Sequence, residues 1–402
     1  MSRVLGTTVP TDLAGVRVVS PAPRDAWRRA LAGDPHAVAT QTPEWLDCVC
    51  RSTGREDASR LYELPDGRRL VLPLVARRFA GVCVAEESFP YGWGYGGVLA
   101  DRGREAERSR TVEEGREAER SRTVEEGGIT EAEVRLVLAD LARRPVVRTG
   151  VVPLSLAGAP WSAAAPPGSV RVPYRAQVID LSDGYDHLWA NVFKRQVRNS
   201  VRKAERFALD VRRERGDDPD GVGVRAFAQL YGQSVDRWAE QRGQPRWLAL
   251  RVAASQDRPG QVAAVAAALG ERCVVWSAHH EGRPVAVNVV LQHGQHALGW
   301  LSAMDTALAR ETLATYVLHV RSFEAAAAEG VRSFHMGESD RGSAPERFKA
   351  YFGARPVDYE ALRLERLPLT RVEKRLRGAV GAVSELNRRR RGSHDAPDGA
   401  RQ

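Results

Sequence analysis

Apolar and polar positions alternate along the chain in two successive series, and both predict the same kind of architecture. The first opens with a strand over 16–20 and a helix over 24–31. A second helix over 42–52 has Thr42 as its N-cap and Pro43 at its first position, where a missing N–H leaves no intrahelical bond unmade. Strands over 68–78, 82–86 and 96–100, a helix over 130–143 and a strand over 146–154 complete this series. The second runs as a strand over 175–181, a helix over 186–208, a strand over 209–214 and a helix over 224–241. Strands over 272–280, 284–292 and 296–304 then form a meander whose first turn is marked by EGR, residues 281–283. A helix over 311–330 stopping at Gly330, a strand over 331–337, a short helix near 345–351 and a strand over 357–365 close the chain's ordered part.

The expected fold class is therefore α/β, with mixed, largely antiparallel sheets flanked by helices. With 402 residues, two domains of roughly 150–200 residues each are expected. A Pro/Gly/Ala-rich connection over 157–169 places them at 1–160 and 170–368, followed by a basic helix and disordered tail over 369–402. The twelve residues 103–114 recur identically at 115–126, a duplication that an exposed loop accommodates at small entropic cost.

One predicted helix is unusual. At 100° per residue, Trp189, Phe193, Val197, Val201, Ala204 and Ala208 fall within an arc of about 120°, a core-facing stripe. Arg195, Arg198, Arg202 and Arg206 gather on the far side within about 80°. Lys194 and Lys203 add to the same segment, where Glu205 is the one acid between 194 and 206. Either this is a solvated face, or it waits for a polyanion, since like charges three and four residues apart repel by a few tenths of a kcal/mol per pair.

Composition sharpens that picture. The net charge of +9 favours polyanionic partners, and 43% apolar residues with nine Trp supply sizeable cores. Of 60 basic residues only Lys194, Lys203, Lys349 and Lys374 are lysines, so a Lys marks a place where a compact ammonium is wanted. Cys48, Cys50, Cys83 and Cys273 make neither a disulfide framework nor a zinc site. His279-His280 and His293 with His296 fall at strand and hairpin positions, so no metal is expected there. The N-terminus lacks an apolar leader and no 18-residue apolar run occurs, so a cytoplasmic protein without an integral membrane segment is expected. Neither a G-x-S-x-G, a P-loop nor a dinucleotide-binding glycine pattern is present.

The stretches FKRQVRNSVRKAERFALDV, GRPVAVNVVLQHGQHALGWLSAM, EAAAAEGVRSFHMG and ERFKAYFGARPV resemble, in order and spacing, the Fem-type aminoacyltransferases and their GNAT-like relatives. The resemblance covers roughly 175–360 well and continues more weakly upstream. It implies tandem GNAT-like domains and transfer of an aminoacyl group from aminoacyl-tRNA to an amine of a small molecule or cell-wall precursor. Lys349, in ERFKAYFGARPV, matches the family lysine that contacts the donor and steadies the reacting carbonyl. Arg195, Arg198, Arg202, Lys203 and Arg206, with Arg347 and Phe348, become donor or tRNA contacts. Trp93 and Tyr95 in YGWGYGG fall where the family forms its acceptor cleft, with Asn288 and Trp300 as further acceptor contacts. These aromatics either stack an acceptor or form a sheet edge.

The chemistry needs neither metal nor cofactor: ester aminolysis takes a neutral amine, positioned reactants and a cation where the oxyanion develops. Lys349 fits that role, unless it is held in a surface ion pair with Glu346 or Asp340. Asp340, with Glu338 and His335 on the same loop, is the candidate general base, and deprotonation by solvent or by the substrate itself is the alternative. Acyl-CoA is the alternative donor, with a sugar or natural-product amine as acceptor. Against it, Leu313 and Thr315 in RETLAT stand where CoA-dependent relatives carry small residues beside the pyrophosphate. A non-catalytic RNA-binding protein without DNA affinity is the remaining alternative.

Overall fold

The computed structural model describes residues 15–90, 92–101, 128–218, 221–241, 245–371 and 373. The duplicated 103–126 segment and most of the 369–402 tail lie outside them.

The first half supplies β1 (Arg17–Val19), β2 (Glu56–Asp57), β3 (Arg60–Glu63), β4 (Arg69–Leu72), β5 (Val75–Phe79), β6 (Val82–Glu87), β7 (Leu99–Asp101) and β8 (Arg148–Val151). The second supplies β9 (Val170–Asp180), β10 (Asp210–Arg215), β11 (Cys273–His280), β12 (Arg283–His293), β13 (His296–Met304), β14 (Ser333–Glu338) and β15 (Arg355–Glu365). Strands β1, β3, β4 and β7 form one sheet, and the other eleven form a second in the order β10-β11-β12-β13-β14-β9-β15-β8-β6-β5-β2. Pairing is antiparallel except between β13 and β14 and between β6 and β8. The α/β class with mixed, largely antiparallel sheets is the one the pattern implied. The larger sheet runs through both halves, because β15 pairs β9 on one side and β8 on the other.

Local chemistry explains several elements. Thr42 accepts the Trp45 N–H at 3.2 Å and caps helix Pro43–Thr53. Glu281 and Gly282 both have positive φ, as a two-residue turn between β11 and β12 requires. The predicted strand over 68–78 is two strands in different sheets, β4 and β5, separated at Pro73, which has no N–H for a ladder. The connection over 157–169 is not a bare linker: it contains helix Gly158–Ala164, which buries Trp161. Helices Arg246–Gln256 and Arg258–Leu269 fill a region for which the pattern predicted nothing.

The helix predicted over 186–208 is broken. A short helix Gly184–His187 and a π turn Leu188–Val192 lead to extended backbone at Phe193 and Lys194, and helix Arg195–Ala204 begins afterwards. Burial of Phe193 decides this, because its ring packs against Phe352 at 5.9 Å and Phe323 at 6.2 Å. The carbonyls released by the break do not go unpaired: Arg198 Nη1 donates to Trp189 O at 2.9 Å and Phe193 O at 2.6 Å.

The cores follow the sheets. One joins the two halves, with Trp27, Trp45 and Val49 packed into the same cluster as Phe227, Leu230 and Val265. A second, around Phe193, Phe323, Phe334 and Phe352, lies beneath the cationic segment. None of the described helices is long and apolar enough to cross a membrane.

Candidate functional site

The site forms where β13 and β14 part. They pair in parallel over three positions, from His296 opposite Ser333 to Leu298 opposite His335, and no further. A register shift between Val289 and Val290 in the pairing of β12 with β13 leaves Trp300 as an extra residue, a bulge that turns β13 away. On its other flank β14 shifts register with β9 between His335 and Glu338, where pairing resumes opposite Ala176. The end of β14 has therefore left β13, and its backbone carbonyls at Gly337 and Glu338 are open to a side chain from elsewhere.

Lys349 takes them. Helix Ala344–Tyr351 is capped by Ser343, which accepts the Glu346 N–H at 3.2 Å, and Pro345 lies in its first turn. From this helix Lys349 Nζ donates to the Gly337 carbonyl at 3.1 Å and the Glu338 carbonyl at 3.0 Å. Burial pushes its pKa down to about 8, and the Glu338 carboxylate opposes that shift. An ammonium has three donors, and two are used here.

Glu338 anchors a polar cluster drawn from both halves. Tyr359 Oη, on β15, donates to Glu338 Oε1 at 2.8 Å, and the Tyr359 ring stacks on Tyr174 at 5.6 Å. Tyr95 is buried with a hydroxyl that makes no well-formed hydrogen bond, although Glu338, Tyr359 and Ser155 are near enough to act on it. Burial pushes this phenol well up. Below it, Ser155 Oγ lies 3.4 Å from His335 Nδ1, and His335 Nε2 lies 3.2 Å from His296 Nδ1. Both imidazoles are kept neutral by burial, with pKa values lowered to about 3 for His335 and about 4 for His296.

On the other flank His319 stacks on Phe352 at 5.4 Å and meets Phe348 edge-on at 5.5 Å. Its Nδ1–H donates to the Thr315 carbonyl at 2.8 Å, which leaves Nε2 as the basic nitrogen. Burial first, then the Lys349 charge, lowers its pKa to about 4.

The predicted residues separate into those this geometry gathers and those it does not. Asp340 is exposed in the turn after β14, and the carboxylate that acts on Lys349 is Glu338. Glu346 pairs with Arg175 at 2.7 Å, so Lys349 forms neither of the surface ion pairs considered for it. Arg195, Arg202, Lys203 and Arg206 are exposed, and Arg206 lies 4.8 Å from the Phe207 ring. Arg198 is turned inward to the carbonyls of the helix break and does not belong to that surface. Arg347 bends back to the Gly342 carbonyl, while Phe348 packs against Tyr316 and His319.

Trp93 is only 2% exposed, wedged against Trp45 and Trp300 with centroids 5.4 and 5.9 Å away, so it presents no free face for stacking. Trp300 donates its indole N–H to the Gly92 carbonyl at 3.1 Å, tying the glycine-rich loop to β13. Asn288 is half-buried beside His319, 3.5 Å from Nδ1. His279 and His296 are buried. Ser155 and Tyr359 carry no local signal that marks them as site residues. Their partners, His335 and Glu338, stand 180 and 21 residues away.

A family model described as an acetyltransferase (GNAT) domain matches residues 191–350, a span that carries the cationic segment, β10 to β14 and Lys349. No curated protein matches the chain. The solved structure of FemX is similar at 11% identity, covering 86% of this chain and 96% of that one with a TM-score of 0.45. The C-terminal domain of a putative lysylphosphatidylglycerol synthetase from Agrobacterium fabrum is 12% identical over 84% and 91%, TM-score 0.45. A tandem GNAT protein from the clavulanic acid biosynthesis pathway is 14% identical over 88% and 99%, TM-score 0.43. Residues 191–350, which hold Lys349 at the end of the parted strands, are thus similar to an acetyltransferase domain of the GNAT type.

Proposed function

We propose that the chain joins an acyl group to an amine, taking an aminoacyl group from aminoacyl-tRNA and passing it to a small-molecule or peptidoglycan-precursor acceptor. The observation that carries this reading is the link between the cationic segment and the lysine helix. Lys194 donates its backbone N–H to the Tyr351 carbonyl at 2.9 Å, and its ammonium lies 5.4 Å from the Tyr351 ring centroid. The exposed charges of Arg195, Arg202, Lys203 and Arg206 thus adjoin the helix that holds Lys349. None has a carboxylate partner among the described residues, which suits a phosphate backbone with its acylated end at Lys349.

In this reading Lys349 supplies positive charge where the carbonyl oxygen becomes an oxyanion, an effect of about 3–4 kcal/mol for a single well-placed donor. The acceptor amine enters beside Glu338, whose carboxylate suits an incoming ammonium.

An acyl-CoA donor is the second reading, favoured by the matched family's description as acetyltransferases. Leu313 also has φ 58°, so the turn before helix Ala314–Ala328 keeps a glycine-like shape although the side chain is large. The test is retention of a mixed aminoacyl-tRNA pool on the purified protein across a salt series, with acetyl-CoA as competitor. Salt-sensitive preference for charged over uncharged tRNA, unaffected by acetyl-CoA, is expected. Displacement by acetyl-CoA moves the assignment to the thioester donor. Binding of RNA without turnover of either donor leaves a non-catalytic RNA-binding protein.

A further inference from the structure

We propose that Lys349 is the group that takes the proton from the attacking amine and returns it to the leaving oxygen or sulfur. The inference rests on the reading above and deepens it, because the positive charge at the oxyanion then arrives with the acceptor's own proton.

The geometry carries the argument. Two of the three ammonium N–H groups are committed to the carbonyls of Gly337 and Glu338, at 3.1 and 3.0 Å. Loss of the third proton leaves a neutral amine that keeps both of those bonds, with its lone pair along the direction of the proton lost. A side chain fixed in this way changes protonation state without moving. Arginine offers no such state, and a lysine in a surface ion pair has no reason to shed its proton.

The surrounding charges agree. Glu338 on β14 is the carboxylate that acts on Lys349, and Tyr359 on β15 donates to it at 2.8 Å. Tyr95, from the loop before β7, also feels Glu338, but through a hydroxyl that makes no well-formed hydrogen bond. His319, on helix Ala314–Ala328, is neutral, and on Lys349's own helix Glu346 is turned to Arg175 while Arg347 is turned to Gly342. Burial outweighs Glu338 and brings the Lys349 amine down to about 8, inside the range where a base both accepts and returns a proton at neutral pH.

The step balances. The acceptor nitrogen attacks the acyl carbon, the C–N bond forms, and the N–H proton of the tetrahedral adduct passes to Lys349 Nζ. The resulting ammonium faces the oxyanion. As the acyl C–O bond of the tRNA ester breaks, or the C–S bond of a thioester, the same proton goes to the leaving atom. The amide, the free alcohol or thiol, and a neutral Lys349 result.

The experiment has two arms. In the first, 13C,15N-lysine is incorporated and the ε-methylene signals of the four lysines are followed from pH 6 to 11, with Lys349 assigned by its loss in Lys349→Arg. A midpoint near 8 for Lys349 is expected, moving to lower pH in Glu338→Gln. A midpoint at the ordinary lysine value overturns the proposal and leaves the acyltransferase reading standing. In the second, release of uncharged tRNA from a mixed aminoacyl-tRNA pool, and of thiol from acetyl-CoA, is followed with glucosamine, glycinamide and lysine as amines. The rate is expected to rise with pH to a plateau above the NMR midpoint, to follow that midpoint in Glu338→Gln, and to fall about 100-fold or more in Lys349→Arg. Arginine keeps a permanent cation, so turnover that survives Lys349→Arg removes the base and leaves a purely electrostatic lysine. A protein that turns over neither donor removes the reading and this proposal together.

Discussion

Arg198 Nη1 lies 2.6 Å from the Phe193 carbonyl, so an arginine that belongs by spacing to a charged face is spent on closing a break in the backbone. The surface left to a polyanion is Arg195, Arg202, Lys203 and Arg206.

That division predicts two different phenotypes. Arg202→Ala with Lys203→Ala is expected to leave stability within about 0.5 kcal/mol of the parent, since neither side chain has a structural partner among the described residues. RNA affinity in the same variant falls, with a salt slope reduced by roughly 1.5. Arg198→Ala is expected instead to lower stability by about 1–3 kcal/mol, by orphaning the Trp189 and Phe193 carbonyls. Filter binding across a salt series and urea denaturation separate the two. Equal loss of stability in both variants contradicts the assignment.

Phe193 holds the break in place. Phe193→Ala is expected to cost about 3–5 kcal/mol, because the ring is 2% exposed and packs against Phe323 and Phe352. Loss of the Lys194–Tyr351 contact should follow, so the position of Lys349 is disturbed from a distance. Chemical denaturation measures the first effect, and the NMR midpoint of Lys349 reads the second.

Acid should unfold the protein early. His296 and His335 titrate in the native state near 4 and 3, and His319 near 4, against an ordinary value of 6.5. Between those values the unfolded chain binds protons that the native state refuses, so stability falls as the pH falls from 6.5. Each imidazole contributes a slope of up to about 1.4 kcal/mol per pH unit, and replacing His335 by Gln should remove one such contribution. Urea midpoints taken from pH 7.5 down to 5 give the slope. A flat profile would mean that these imidazoles are protonated without loss of the fold.

Trp300 fastens the glycine-rich loop to β13. Trp300→Phe removes the bond to the Gly92 carbonyl and is expected to cost about 1 kcal/mol. Tyr95→Phe removes a buried hydroxyl without a well-formed hydrogen bond, so stability is expected to hold or to rise by about 1 kcal/mol. Turnover in Tyr95→Phe should fall if the phenol meets the acceptor. Thermal midpoints and amine KM values measured side by side distinguish packing from contact.

The sequence by itself determined the elements whose signals are local. Thr42 and Pro43 start a helix because a hydroxyl and a missing N–H suit its first turn. Glu281 and Gly282 close a hairpin, and Lys349 stands out because ammonium is rare in this arginine-rich chain. Wherever long-range burial outweighed periodicity, only the tertiary structure decided. The stripe from Trp189 to Ala208 has a helical period, yet Phe193 gains more from the aromatic core than two residues of helix would give, and the chain breaks there. Asp340 and Glu338 are indistinguishable as nearby acids in the sequence. The register shift at the end of β14 leaves Glu338 beside Lys349 and puts Asp340 in solvent. Tyr95, Ser155 and Tyr359 meet this site only because β15 joins the two halves in one sheet, and no spacing along the chain encodes that juxtaposition.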